Sequence, residues 1–169
     1  MQARPSPAAA AAGTGDAHGL AEAPATAVLD TNVVLDWLLF GEPAVAPLAA
    51  AIEAGSLRWL ACAYMREEFE SVLGRTSLAR WQPDTATLLA RFDRHARLLP
   101  APPTDPLLRC ADADDQVFVD LSRAHHARWL ITRDGALLAL ARRAAPLGLA
   151  IVAPRRLALG PHADSPGRA

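Results

Sequence analysis

Asp30 directly follows the apolar run Ala27-Val28-Leu29, so a carboxylate stands at the tip of what reads as a buried strand. Asp134 repeats the arrangement: Trp129-Leu130-Ile131 is a second buried-strand pattern, and Thr132-Arg133-Asp134 carries a hydroxyl and a carboxylate to its end. Each aspartate could instead cap the helix that follows it. Between them lie two further acidic groups. On a helix beginning near Tyr64 the apolar stripe is Met65, Phe69, Val72 and Leu73, and at 100° per residue Glu68 borders that stripe while Glu67 and Glu70 leave it. A carboxylate bordering a packed face is costly unless it is paired, bound to a metal or able to reach water. Asp112-Ala113-Asp114-Asp115 opens another helix, where negative charge is favourable in itself. Asp115 is the first of these whose i+4 and i+7 positions, Val119 and Ser122, continue down one helix face, so it is the inward candidate and Asp112 an outer member.

Carboxylates crowded together repel and persist when a cation lies between them. Oxygen-only ligands imply a hard ion, Mg2+ or Mn2+. With Asp30, Glu68, Asp115 and Asp134 as ligands, directly or through water, such a site suits attack of water on a phosphodiester. Asn32 and Thr132 would orient ligands or water beside it. Other acidic sites fit less well. A calcium-binding loop counted from Asp112 has Val117 where glycine is needed and Arg123 where glutamate is needed. A phosphatase using an aspartate nucleophile at a strand tip needs a second aspartate two residues on, and Asn32 stands there. A phosphorylated receiver domain needs a lysine, and every basic side chain in this sequence besides histidine is arginine.

These groups require elements that bring distant segments together, and the pattern supplies them. Short apolar runs over 26–30, 57–61, 97–100, 128–132 and 149–153 read as strands. Helical patterns over about 31–40, 44–54, 64–75, 84–96, 115–126 and 135–144 alternate with them, and Pro102, Pro103 and Pro106 enforce a loop. Strand alternating with helix predicts an α/β domain with a mostly parallel sheet of four or five strands covered on both faces, and a site beyond the strands' carboxyl ends. The Ala/Pro-rich residues 1–25 read as a disordered extension, 26–158 as the folded unit and 159–169 as a flexible tail.

With 169 residues, 51% of them hydrophobic, one domain can build a proper core. A net charge of −1 argues against a strongly basic coat for nucleic acid, although a bound cation can supply positive charge locally. Cys62 and Cys110 form no metal-ligand spacing and read as free thiols in a reducing, cytoplasmic setting. No run approaches the ~18 apolar residues of a membrane span, and the N-terminus lacks the basic-then-apolar order of a secretory signal. The arginine pairs at 142–143 and 155–156 read as solvated surface, and the four tryptophans as core or interface.

Four segments taken in order, Val28-Leu-Asp-Thr-Asn-Val-Val34, Met65-Arg-Glu-Glu-Phe-Glu-Ser-Val-Leu73, Cys110-Ala-Asp-Ala-Asp-Asp-Gln-Val-Phe118 and Ile131-Thr-Arg-Asp134, resemble the PIN domain, in particular its bacterial toxin–antitoxin subfamily. The likeness runs over about 26–155. It implies a PIN-like three-layer α/β/α fold and Mg2+- or Mn2+-dependent cleavage of single-stranded RNA. It carries the family's acidic positions onto Asp30, Glu68, Asp115 and Asp134, and its neighbouring polar positions onto Asn32 and Thr132. It also implies an antitoxin protein seated in the cleft and a homodimer. The competing reading is a non-catalytic RNA- or partner-binding relative, which loss of an acidic ligand or failure to bind metal would favour.

Overall fold

A computed structural model describes residues 23–159. The expected N-terminal extension and C-terminal tail lie, but for residues 23–25 and 159, outside that range. Five strands, β1 (Ala25–Leu29), β2 (Leu57–Cys62), β3 (Ala96–Leu99), β4 (Trp129–Ile131) and β5 (Ala150–Val152), form one sheet in the order β3-β2-β1-β4-β5. Every neighbouring pair is parallel, as the alternation of strand and helix requires.

β1 is the central strand, and its Ala27, Val28 and Leu29 are buried because both neighbours and the covering helices enclose it. The register sets Leu29 opposite Ile131 and Val28 opposite Leu60. One residue further on, Asp30 therefore comes level with Thr132, and the Asp30 N–H donates to the Ile131 carbonyl at 3.0 Å. The carboxyl edge of the sheet thus begins with a buried aspartate beside a buried threonine.

The helices are α1 (Thr31–Leu35), α2 (Ala46–Glu53), α3 (Ala63–Leu73), α4 (Thr85–His95), α5 (Gln116–Ala124), α6 (Gly135–Leu138) and α7 (Ala141–Ala144), and they cover both faces of the sheet. The core joins apolar faces of the sheet and these helices. Trp59 of β2 meets Phe92 of α4 edge-on at 4.5 Å, and Phe92 stacks on Phe69 of α3 at 5.5 Å. Trp37 and Trp59 are core residues, whereas Trp81 is exposed and lies against Phe40 and the Arg80 guanidinium.

Three helical stretches depart from the expected pattern. The helix expected over 31–40 widens into a π-helical turn, Asp36–Phe40, and stops at Gly41, whose φ of 64° favours glycine. The chain then turns by 112° into the next helical stretch. The helix expected over 135–144 divides after Leu138, where the Leu140 N–H reaches only to the Leu137 carbonyl in a tighter i→i+3 turn. A 3-10 stretch, Thr76–Trp81, fills what read as a connection. No single described helix is long and apolar enough to cross a membrane. Cys62 is buried, Cys110 half-buried, and both are free thiols.

Candidate active site

Asp30 and Asp134 occupy matching positions. Each is an extended residue beyond the end of a strand, one residue after β1 for Asp30 and three after β4 for Asp134, and each is the N-cap of the helix that follows, α1 and α6 respectively. Asp30 accepts from the Asn32 N–H at 3.4 Å and from the Thr132 hydroxyl at 2.7 Å. Asp134 accepts through one oxygen from the N–H groups of Ala136 and Leu137 at 2.7 and 3.1 Å, and its own N–H donates to the Thr132 hydroxyl oxygen at 2.8 Å. Capping is therefore real at both aspartates. It does not use up either group, because capping satisfies a helix donor through one oxygen and leaves the charge in place. Thr132, fully buried, ties the two together by donating to one aspartate while accepting from the backbone of the other.

Glu68 comes from the second turn of α3. The packed stripe Met65, Phe69, Val72 and Leu73 fixes that helix against the sheet and leaves Glu68 half-buried, while Glu67 and Glu70 are exposed. The Thr31 hydroxyl donates to Glu68 Oε2 at 3.0 Å, linking α3 to the first residue of α1. Glu70 instead pairs with Arg66 at 3.6 Å. Asp115 precedes α5 in the N-cap position, but its side chain makes no capping bond. Asp112 lies outside it, exposed, with Oδ1 accepting the Asp114 N–H at 3.0 Å in a local turn.

Three of these carboxylates, Asp30, Glu68 and Asp115, respond to the charges around them. Burial raises the Asp30 carboxyl above the ordinary aspartate range, the bonds from Thr132 and Asn32 oppose the rise, and the charge of Asp134 adds to it. Burial likewise raises Glu68, opposed by the Thr31 hydroxyl and reinforced by the charge of Asp30. Asp115 is pushed up to about 6, first by burial and then by the charges of Asp134, Asp30, Asp112 and Glu68. Residues from β1, α3, the start of α5 and the end of β4 thus share one negative field.

Two buried carboxylates near this site are not evident from the sequence pattern. Asp36 is buried in the π turn and pairs with Arg133 at 3.0 Å. Burial raises its carboxyl, Arg133 opposes the rise, and Glu42 and Asp30 add to it. Asp120 is buried on α5, where Oδ1 accepts the Asp105 N–H at 2.8 Å and the Gln116 amide at 2.6 Å. The available signal was a charged residue inside an apolar run, Val-Leu-Asp36-Trp-Leu and Phe-Val-Asp120-Leu, which is costly without a partner.

A hard divalent cation fits the donor chemistry: all groups are oxygen donors, and Asp115, one oxygen of Asp134 and one of Glu68 accept no hydrogen bond among the described residues. Among the described residues no three acidic, histidine or cysteine side chains converge closely enough to form a direct three-ligand cluster.

The sequence model of the PIN domain matches residues 26–136, well over half of the 169-residue chain. No curated protein matches it. Among solved structures, the chain is similar to VapBC2 from Rickettsia felis bound to a DNA fragment from their promoter, at 10% identity and TM-score 0.50, over 76% of this chain and 98% of that one. It is also similar to PAE2754 from Pyrobaculum aerophilum, at 20% identity and TM-score 0.47, over 78% and 87% of the two chains. At such identities the likeness concerns the fold alone.

Proposed function

The chain belongs to the PIN domain family, and from that premise we propose that it is a divalent-metal-dependent endoribonuclease that hydrolyses phosphodiester bonds in single-stranded RNA. The observation that carries the reading is the gathering of Asp30 and Asp134 through Thr132, and of Glu68 through Thr31, at the carboxyl edge of the sheet, with Asp115 in their field. Open α/β sheets bind their ligands at that edge. A phosphodiester is repelled by uncompensated carboxylates, so phosphate chemistry here requires a cation among them.

Asp30, Glu68, Asp115 and Asp134 are the residues that would hold Mg2+ or Mn2+, with Asn32, Thr132 and Asp112 around them. Such an ion, when bound, polarises the phosphate and lowers the pKa of water. The remaining work falls to the chain. Thr132 fixes the Asp30 carboxylate and the backbone of Asp134 at one separation. Thr31 holds the Glu68 carboxylate toward the strand tips. Asp115, raised to about 6 by burial and by its acidic neighbours, is the carboxylate whose charge a cation would stabilise most. No side chain here acts as a covalent nucleophile.

The reading extends to a toxin of a toxin–antitoxin pair acting in the cytoplasm, with an antitoxin protein as partner and a homodimer as its assembly. The fold shared with a VapBC2 component supports the partner only as a family expectation. A non-catalytic RNA- or partner-binding role is the second reading, favoured by the absence of a direct three-ligand cluster among the described residues. Incubation of labelled single-stranded RNA with the purified protein and Mn2+ or Mg2+, beside EDTA and Asp30→Asn, separates the two. The nuclease reading expects cutting that needs metal and vanishes in the variant. Intact RNA beside folded, metal-loaded protein would favour the binding module.

A further inference from the structure

Beside the acidic site, a cleft of about 550 Å3 opens between the start of α3, the proline-rich loop before α5 and the first turns of α5. Its lining includes Tyr64, Pro102, Thr104, Arg109, Asp114 and Asp120. It adjoins the carboxylates: the Tyr64 hydroxyl feels the charges of Glu68, Asp114 and Asp115, and Asp114 acts on Glu68. The volume falls in the range of small-molecule sites, and a single base with its ribose is smaller than that.

Three features of the lining have bonding or stacking capacity that the free protein leaves unused. Tyr64 is 47% exposed on the first turn of α3, an aromatic face presented to the opening. Arg109, also exposed, makes no hydrogen bond or ion pair among the described residues despite its acidic surroundings. Asp120 is only 6% exposed, and both of its donors, the Asp105 N–H and the Gln116 amide, go to Oδ1. Its Oδ2 receives no hydrogen bond. The one buried side-chain polar atom left without a partner among the described residues is Trp59 Nε1, so Asp120 Oδ2 meets solvent in the cleft it lines and is open to an N–H from a ligand.

We propose that this cleft takes one nucleobase of the RNA next to the cut, and that Asp120 selects a base carrying an exocyclic amine against uracil. The inference rests on the ribonuclease reading and names the part of the substrate that the acidic site does not read. Adenine, cytosine and guanine each present an amine that can donate to Oδ2. Uracil has no amine, and its N3–H lies between two carbonyl oxygens that the carboxylate repels. Tyr64 supplies a stacking face for any base, and Arg109 a cation for the adjoining phosphate.

Asp120→Asn isolates the base reading. The substituted side chain must still accept the Asp105 N–H and the Gln116 amide through its carbonyl oxygen, so its NH2 replaces Oδ2 and turns the acceptor into a donor. The experiment measures fluorescence anisotropy of labelled oligo(C), oligo(A) and oligo(U) pentamers with the full chain at low salt in Ca2+, a hard cation that compensates the carboxylates, with the oligonucleotides confirmed intact by electrophoresis. The wild type is expected to bind oligo(C) and oligo(A) about 10-fold more tightly than oligo(U). Asp120→Asn is expected to bind oligo(U) at least as tightly as oligo(C). Tyr64→Ala, on an exposed position, should weaken all three by about 10-fold without changing their order, and it keeps the test available if Asp120→Asn fails to fold. Equal affinities in the wild type, no binding, or a uniform loss in Asp120→Asn with the order kept would overturn the proposal. Base preference without metal-dependent cutting would retire the nuclease and keep the cleft, and cutting without base preference would do the reverse.

Discussion

On the β1–β4 side of the acidic site the carboxylates of Asp30 and Asp134 are pinned by the four hydrogen bonds they accept, whereas on the α3–α5 side the Glu68 carboxylate accepts one and that of Asp115 none among the described residues. The pinned side is built by sheet register and helix capping, which fold independently of any ligand. The other side is held by packing of whole helices, and its carboxylates carry the electrostatic strain, Asp115 most clearly at about 6. Under the proposed function the difference is a division of work: one side fixes positions, and the other holds repulsion that a cation would relieve.

The largest expected effect comes from removing the most strained charge. Asp115→Asn should lower metal-dependent RNA cutting by more than about 100-fold, beyond the range seen when groups around metal ligands are lost. At pH 8 without metal it should leave the melting temperature unchanged or raised. A loss of both activity and stability would place Asp115 on the pinned side and erase the contrast.

Thr132→Val attacks the opposite side. It removes the hydroxyl that donates to buried Asp30 and accepts the Asp134 N–H. A buried group left without its partner costs about 1–3 kcal/mol, and cutting should fall by about 10–100-fold. Chemical denaturation and initial rates, measured together, check both. Activity lost without destabilisation would contradict the positioning role.

Acidity should expose the stored repulsion. Between about pH 4 and pH 6 the unfolded Asp115 loses its proton while the folded one keeps it, so the folded state binds more protons and stability falls as pH rises. Discounted for solvent screening, the fall is about 1 kcal/mol, or about 2–4 °C in melting temperature. Metal-free melts across that range should show it, and Mn2+ at pH 8 should reverse it. A smaller comparison uses Glu67, one residue from Glu68 but exposed: Glu67→Gln should change cutting by less than about 2-fold.

The pinned side was the more legible in the sequence. Apolar runs that stop at Asp30 and shortly before Asp134 mark strand tips, and a parallel sheet brings such tips to one edge. Helical phase distinguished Glu68 from Glu67 because the stripe on α3 is regular. Asp36 and Asp120 escaped because their partners, Arg133 for the one and the Asp105 N–H for the other, lie 97 and 15 residues away, and only tertiary packing joins them. The hydroxyl of Thr31 read as part of a helix start, yet it reaches 37 residues to Glu68. Helix ends were the least legible: the stretch expected to run to residue 126 stops at Ala124, with His126 at a φ of 50°.

The central claim is that both sides of the site serve one cation. Mn2+ binding to the full chain, measured by isothermal titration calorimetry at pH 7.5 (about neutral, where the carboxylates are largely ionised), tests it without RNA. The account predicts saturable binding in the wild type, weakened at least about 10-fold in both Asp30→Asn and Asp115→Asn. Affinity that falls in one variant and stays unchanged in the other, or wild-type protein that binds no Mn2+, would contradict it.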